Sequence, residues 1–291
     1  MKIDLHIHTR TGSDGSLSVE EIFQEANKRK INLMSVTDHD SIGCQEKAIS
    51  LSKEFGISYI TGVELNVTFP YNERTISLDF IGYGYDIGNQ ELEKKLKQLR
   101  EHRERRAIQI LEKLNIEFDK ENIPQFTAAD IKNIEASVDG AFGRPHIVDY
   151  LVKKRIVLDR QEAFDRFLVK CDVPKYPLSI SDASKLIRNA GGLFILAHPN
   201  EPGGTSLATI TQDLGKQAKI IEEFMLEYIN GVECWQSRND GRTTLCYIQF
   251  ARKHRLIMTG GSDCHQKPII MGSVNIPDWV ANQTELMKGV N

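Results

Sequence analysis

The sequence predicts an α/β protein, a parallel sheet or barrel interrupted by an all-helical insertion. Three observations carry that reading. The chain opens with short apolar runs alternating with helical patterns, turns to helical periodicity alone from about Asn89, and returns to alternation from Asp182 to Thr259. A length of 291 residues suits one α/β barrel or two smaller domains.

Ile3, Leu5 and Ile7 alternate with Asp4, His6 and His8, the period of a strand with one apolar and one polar face. Ser18 and Glu21 form a capping box ahead of a helix whose buried face is Ile22, Phe23 and Ala26. Leu33 to Val36 reads as a buried strand, Gly43 to Phe55 as a helix and Ile57 to Ile60 as a third strand. Asn66 to Tyr85 reads as two strands about a turn at Tyr71-Asn72-Glu73-Arg74. A long charged helix follows over Leu92 to Leu114, with shorter ones at Ala128 to Ile134, Pro145 to Lys154 and Arg160 to Val169. The expected division is therefore a unit made of residues 1–88 and 178–291, with residues 89–177 inserted as a helical cap over the substrate. Beyond it come a helix at Asp182 to Asn189, a Gly191-Gly192 stop, a strand from Leu193 to Ala197 and a helix at Gln217 to Tyr228. A strand at Val232 to Trp235, a helix ending near Lys253 and a strand at Leu256 to Thr259 complete the set.

Charge and composition exclude some classes of function. Lys and Arg number 37 against 40 Asp and Glu, a net charge of −3, which does not suit a protein built chiefly to coat nucleic acid or an anionic membrane. No run approaches the length of a membrane span and the N-terminus lacks the pattern of a secretion signal. Five scattered cysteines without a C-x-x-C pair read as reduced thiols, so the expected location is cytoplasmic.

The chemistry lies at the ends of the strands. His6 and His8, two apart on a strand, can face one ion. Thr37-Asp38-His39-Asp40, Gly62-Val63-Glu64, Ala197-His198-Pro199 and Gly261-Ser262-Asp263-Cys264-His265 each place Asp, Glu or His after an apolar run, where α/β folds carry their sites. So many strand-end charges would be costly to bury without cations. His102 and His254, in or near helices, read instead as solvated or dipole-stabilised. Alternation turns Cys264 away from the face shared by Asp263 and His265.

With Asp4-Leu5-His6-Ile7-His8 and Ser13-Asp14-Gly15, these motifs resemble the PHP (polymerase and histidinol phosphatase) family of metal-dependent phosphoesterases, in family order from residue 4 to 265. The resemblance implies a distorted (β/α)7 barrel with three divalent ions, Mn, Fe or Zn. It implies His6, His8, Glu64 and Asp263 as ligands of one ion, Glu64 bridging to a second that also takes His198, and Asp14, His39 and His265 around a third. Asp79 stands where many relatives have His, which gives the second site more oxygen character and admits Mg.

Gly143-Arg144-Pro145-His146 and the insertion look like the branch acting on nucleotide monophosphates and 3′,5′-nucleoside bisphosphates. Hydrolysis of the phosphomonoester by a metal-bound hydroxide is then the expected reaction, with Asp263, Arg144 and His146 as its catalytic groups. Arg144 offers a fork for phosphate oxygens and His146 a second donor or a proton for the leaving group. Ser237 and Arg238 are expected at the barrel mouth, touching substrate. Asp38 and Asp40 either orient His39 or cap its loop. Arg100, His102, Arg103, Arg105 and Arg106 read as a solvated face paired with Glu101 and Glu104, or as a basic lid over an anionic substrate. Trp235, Tyr176 and Phe142 are core residues by default and base-stacking candidates otherwise. Three alternatives remain: a 5′-to-3′ exonuclease on short oligonucleotides, a histidinol-phosphate phosphatase, and a non-catalytic metal-binding module.

Overall fold

Strand β1 (Ile3–Ile7) lies parallel to β2 (Leu33–Val36), and β2 parallel to β3 (Ser58–Tyr59). The structure is a computed structural model and describes residues 1–135, 143–202 and 205–290. Helices α1 (Val19–Lys28) and α2 (Gln45–Phe55) make the crossovers that parallel strands require. The capping box forms: the Glu21 N–H donates to Ser18 Oγ and the Ser18 N–H to the Glu21 carboxylate. Gly56 ends α2 at φ 65°, where a side chain would be strained.

Strands β4 (Gly62–Tyr71) and β5 (Arg74–Tyr83) form an antiparallel hairpin, with Asn72 and Glu73 both at positive φ in its turn. Its pairing starts at Gly62 opposite Tyr83, earlier than the expected Asn66, so Glu64 lies inside a strand rather than after one. Strand β5 pairs antiparallel with β6 (Leu193–Leu196), and β7 (Gly231–Gln236) and β8 (Ile257–Gly261) continue in parallel.

The α/β class holds, but among the described residues the strands form a three-stranded and a five-stranded sheet, not one closed seven-stranded barrel. The sheets meet through single bridges, Ile7 with Cys264 and His39 with Glu64. The ladders stop there because the chain turns into left-handed conformation at Asp40 (φ 52°) and Asp263 (φ 54°). At one seam Gly261 lets β8 approach β1 closely, since a Cβ there would lie 2.3 Å from that of His6.

Helices α3 (Gln90–Lys120), α4 (Ala128–Glu135), α5 (Arg144–Lys153) and α6 (Arg160–Ala163) form a helical block, and a π-helical turn, Phe164–Leu168, follows α6. Helix α3 outruns the expected Leu92 to Leu114 because Asn89 caps its start and Phe118 extends its apolar stripe. The block has an apolar cluster of its own, in which Phe118 meets Phe126 and Phe167 edge-on at 5.1 and 5.3 Å. The chain returns to the sheets through α7 (Ile180–Asn189), with α8 (Leu214–Phe224) and α9 (Gly241–His254) as later crossovers. Phe80 stacks on Phe194 at 4.7 Å in the core of the larger sheet. Among the described residues no helix is long and apolar enough to cross a membrane.

Phe118 is fully buried. Phe118→Ala should cost about 3–5 kcal/mol, measured as a lower urea midpoint; an unchanged midpoint would show that the helical cluster contributes nothing to stability.

Candidate metal centre and active site

His6 and His8 project from the same side of β1, their Nε2 atoms 3.1 Å apart. The His6 Nδ1 lies 3.2 Å from Glu233 Oε1, and Glu233 Oε2 accepts the His198 N–H at 2.7 Å. A carboxylate on Nδ1 fixes the proton there and turns Nε2 toward the centre. The His6 Nε2 then sits 3.5 Å from Glu64 Oε1 and 3.4 Å from Asp263 Oδ1. His8 Nε2 lies 3.3 Å from Glu64 Oε2 and 3.4 Å from Asp263 Oδ1.

Glu64 is the hub. His198 Nε2 approaches Oε1 at 2.9 Å and His39 Nδ1 approaches Oε2 at 3.0 Å. On the far side Asp14 Oδ1 lies 3.4 Å from His265 and 3.9 Å from His39, and the His265 ring stacks on His8 at 3.9 Å. Three groups emerge whose ligand atoms lie within 4.8 Å of one another: His8, Asp14, His39 and His265; His6, Glu64 and His198; His6, His8 and Asp263.

The charges show what such packing does. Burial pulls the His8 imidazole down, but hydrogen bonding to Asp263 and Glu64 outweighs it and lifts the pKa to about 10. Burial likewise opposes the rise of His198, which Glu64 carries to about 9. For Asp14, Glu64 and Asp263 burial raises the pKa, and the surrounding imidazoles more than reverse it. Asp14 Oδ1, Glu64 Oε2 and Asp263 Oδ1 are nonetheless buried and, beyond these imidazoles, meet no hydrogen-bond donor among the described residues. Carboxylate oxygens converging in this way with imidazole nitrogens fit divalent cations.

The loops around these groups are tied down from behind. Asp38 accepts from the Thr9 N–H (2.7 Å), Thr9 Oγ1 (2.7 Å), Ser13 Oγ (2.8 Å) and Cys44 Sγ (3.1 Å), so it caps the loop bearing Asp14 rather than orienting His39. Asp40 receives Arg103 at 2.6 Å through its carboxylate and Arg100 at 2.9 Å through its carbonyl. Cys264 packs in an apolar cluster with Ile7, turned from the centre as alternation requires.

A cavity of about 180 Å³ joins the centre to the helical block, lined by Asp14, His39 and Asp79, by Arg103, Arg106 and Arg144 of the block, and by Lys175 from the segment that leads to α7. His102 and Tyr176 line it too, so His102, Arg103 and Arg106 of α3 face the cavity, whereas Glu101, Glu104 and Arg105 are exposed. Arg160 and Arg238 reach a second cavity beside His198, Asp263 and His265, where Arg238 pairs with the buried Glu201.

Other expected residues fall elsewhere. Asp79 lies 3.9 Å from His198 at the edge of the cluster, and its oxygens accept from Asn66 (2.5 Å) and Thr205, so it is not gathered into any of the three groups. His146 does not line the cavity that its neighbours Arg144 and Pro145 wall; its Nδ1 accepts the Gly143 N–H at 3.2 Å and caps α5. Ser237 is exposed and lines neither cavity. Trp235 packs edge-on against Trp279 at 5.7 Å, in the core. His254 lies on Phe250, ring centroids 4.5 Å apart, away from the site. Phe142 lies outside the described residues. Glu233, Glu201, Arg160 and Lys175 are additions; only Glu233, a carboxylate amid a fully buried apolar strand, carried a signal in the sequence.

A carboxylate and imidazole centre beside guanidinium groups suits hydrolysis of a phosphoric ester: bound divalent ions would polarise the ester, and the guanidinium groups would neutralise its oxygens. The chain belongs to the PHP domain family, which it matches over residues 4–167, and is a metal-dependent phosphoesterase. It is 32% identical to a 5′-3′ exoribonuclease of Haemophilus influenzae, over 91% of this chain and 90% of that one. It is 28% identical to a 3′,5′-nucleoside bisphosphate phosphatase of Chromobacterium violaceum, over 90% of this chain and 87% of the other. Among solved structures, one assigned as a metal-dependent phosphoesterase of Bifidobacterium adolescentis superimposes with a TM-score of 0.80 at 25% identity, covering 99% of this chain and 96% of its own.

Glu233→Ala should weaken Mn binding about 10- to 100-fold by releasing His6, read by calorimetric titration. An affinity equal to wild type would remove Glu233 from the support of the centre.

Proposed function

We propose that the protein hydrolyses the phosphomonoester of a nucleotide, of the AMP or 3′,5′-nucleoside bisphosphate type. The observation that carries this is one cavity walled by the Asp14 and His39 side of the centre and by the cationic side of the helical block. At about 180 Å³ it is smaller than the ~300–1,000 Å³ of a cleft that engulfs a whole ligand, so it suits one phosphorylated end.

In this reading His6, His8, Glu64 and Asp263 hold one divalent ion, Glu64 and His198 a second, and Asp14, His39 and His265 a third, with Mn, Fe or Zn preferred and Mg admitted. Bound there, divalent ions would supply Lewis acidity toward phosphoryl oxygens and acidify water. Arg144 and Arg103 present planar forks to the non-bridging oxygens. His146, with Nδ1 committed to the Gly143 N–H, keeps the proton of its neutral ring on Nε2 and acts by holding the start of α5, which presents Arg144. Arg238 meets the substrate from the opposite rim, aimed by Glu201. Residues 89–177 serve as the cap that excludes water, over a unit of residues 1–88 and 178–291. The two sheets are read as arcs of one distorted (β/α)7 barrel whose seams are the single bridges. Five free thiols suit a cytoplasmic enzyme.

A second reading uses the same centre on a diester, trimming short oligonucleotides from the 5′ end. It is favoured by the exoribonuclease relative and by Arg160 and Arg238, which continue the cationic wall beyond the cavity.

Mn-loaded protein given AMP, 3′,5′-bisphosphoadenosine, histidinol phosphate and a 5′-phosphorylated oligoribonucleotide should release phosphate from the first two and leave the oligomer intact. Stepwise mononucleotides from the oligomer would instead establish the exonuclease. Chelation should abolish turnover and Mn restore it. His39→Ala should lower turnover by orders of magnitude; full activity would take the third ion out of the reaction. Arg144→Ala should weaken substrate use at unchanged metal content, and metal loss in that variant would make Arg144 a structural residue.

A further inference from the structure

Within the three-ion reading, one ion takes His6, His8, Glu64 and Asp263 and another takes Asp14, His39 and His265. The remaining ion has His198 to itself and only a share of Glu64 and His6, which both serve the first. Affinity for a divalent ion grows with the number and charge of its ligands and with the rigidity that holds them, so this ion is the least supported. A buried carboxylate stands near enough to complete its shell, since Asp79 Oδ2 lies 3.9 Å from His198 Nε2. Yet Asp79 is turned elsewhere. Asn66, its partner across the hairpin, donates to Oδ1 at 2.5 Å. Thr205 donates its hydroxyl to Oδ2, while its carbonyl accepts the Asp79 N–H at 3.2 Å. The carboxylate is thereby fixed between two donors, outside each group of converging ligand atoms among the described residues.

His198 adds an independent observation. An imidazole that ligates a metal is normally oriented by a bond to its other ring nitrogen. His6 has Glu233 on Nδ1 at 3.2 Å, His8 has Ser13 Oγ at 3.3 Å and His265 has the Asp263 carbonyl at 3.0 Å. The Nδ1 of His198 is buried and has no hydrogen-bond partner among the described residues.

We infer that the ion taken by Glu64 and His198 is held more weakly than the other two, that Asn66 and Thr205 keep Asp79 from it, and that the supply of divalent ion sets turnover through this one position. The inference rests on the three-ion phosphoesterase reading and adds a regulation of the same centre. A carboxylate released from both donors would turn unpaired oxygens to the ion, so these two hydrogen bonds oppose its binding.

Chain freed of metal by a chelator, reloaded with Mn and passed through gel filtration should keep two ions, and calorimetric titration should show one more binding about 10- to 100-fold more weakly. Asn66→Ala and Thr205→Val should each tighten that weak ion about 10-fold, the effect of losing one hydrogen bond to a charged group. Were Asp79 already a ligand, these donors would be its support, and their removal would weaken the ion. Weakening or no change in either variant that folds would overturn the inference, and three equally tight ions in wild type would do so without the variants. Phosphate release from 5′-AMP by wild type should climb with free Mn over the range in which the weak ion binds; a rate already maximal with two ions bound would overturn the regulatory role. Ion counting needs no nucleotide, so a chain that hydrolyses neither nucleotide nor oligomer would strike the proposed function and leave the ranking of the three sites standing.

Discussion

The Glu64 carboxylate is the constraint around which the molecule is organised. It is 1% exposed, and four imidazoles, those of His6, His8, His39 and His198, reach it within 3.5 Å. A carboxylate so buried would cost several kcal/mol without positive charge around it, which protonated imidazoles or divalent cations supply. The hairpin makes that burial geometrically possible. Val63 and Leu65 pack into the core on one face of β4, and the strand period turns Glu64 to the other. His6 and His8 arrive from the neighbouring sheet because the seam at Gly261 allows a close approach.

A second set of buried polar groups supports the first without facing it. Asp4 accepts the N–H groups of Ser262 at 2.8 Å and Gly272 at 2.7 Å, holding the segment that carries Asp263 and His265. Gln45 donates to the carbonyls of Val36 and Gly62 and accepts from Tyr59, joining the β2 end to the start of the Glu64 strand. His198 (φ 22°) and Asp263 (φ 54°) hold backbone conformations that L-residues seldom adopt, a strain tolerated where surrounding contacts over-determine the chain. The precision of the centre is therefore a property of its backing, in which buried side chains bond both to backbone and to one another.

Much of this was legible in the chain. Alternation in Ile3–Ile7 put both imidazoles on one side, and the Asp, Glu and His residues after apolar runs identified the parts that the fold gathers. Asp79 and Ser237 were harder, because their environments depend on Asn66, Thr205 and the turn after Trp235, residues distant in sequence or without periodicity. His146 looked like a proton donor from its neighbours, yet the start of a helix competes for its ring nitrogen. The basic face of α3 was ambiguous since its period is the same whether it meets solvent or a cavity. Lys175 gave no local signal at all, since the burial, the Asp79 carboxylate and the three guanidinium groups that act on it come together only in the fold.

The clamp of Arg100 and Arg103 on Asp40 ties the long helix to the loop that bears His39. The helical block and the loop of His39 are thus joined by side-chain contacts as well as through the chain. A helix without these two arginines would leave the buried Asp40 carboxylate without its ion pair one residue from His39. The seating of the long helix and the electrostatics of the His39 loop are accordingly one problem, solved by the same two side chains.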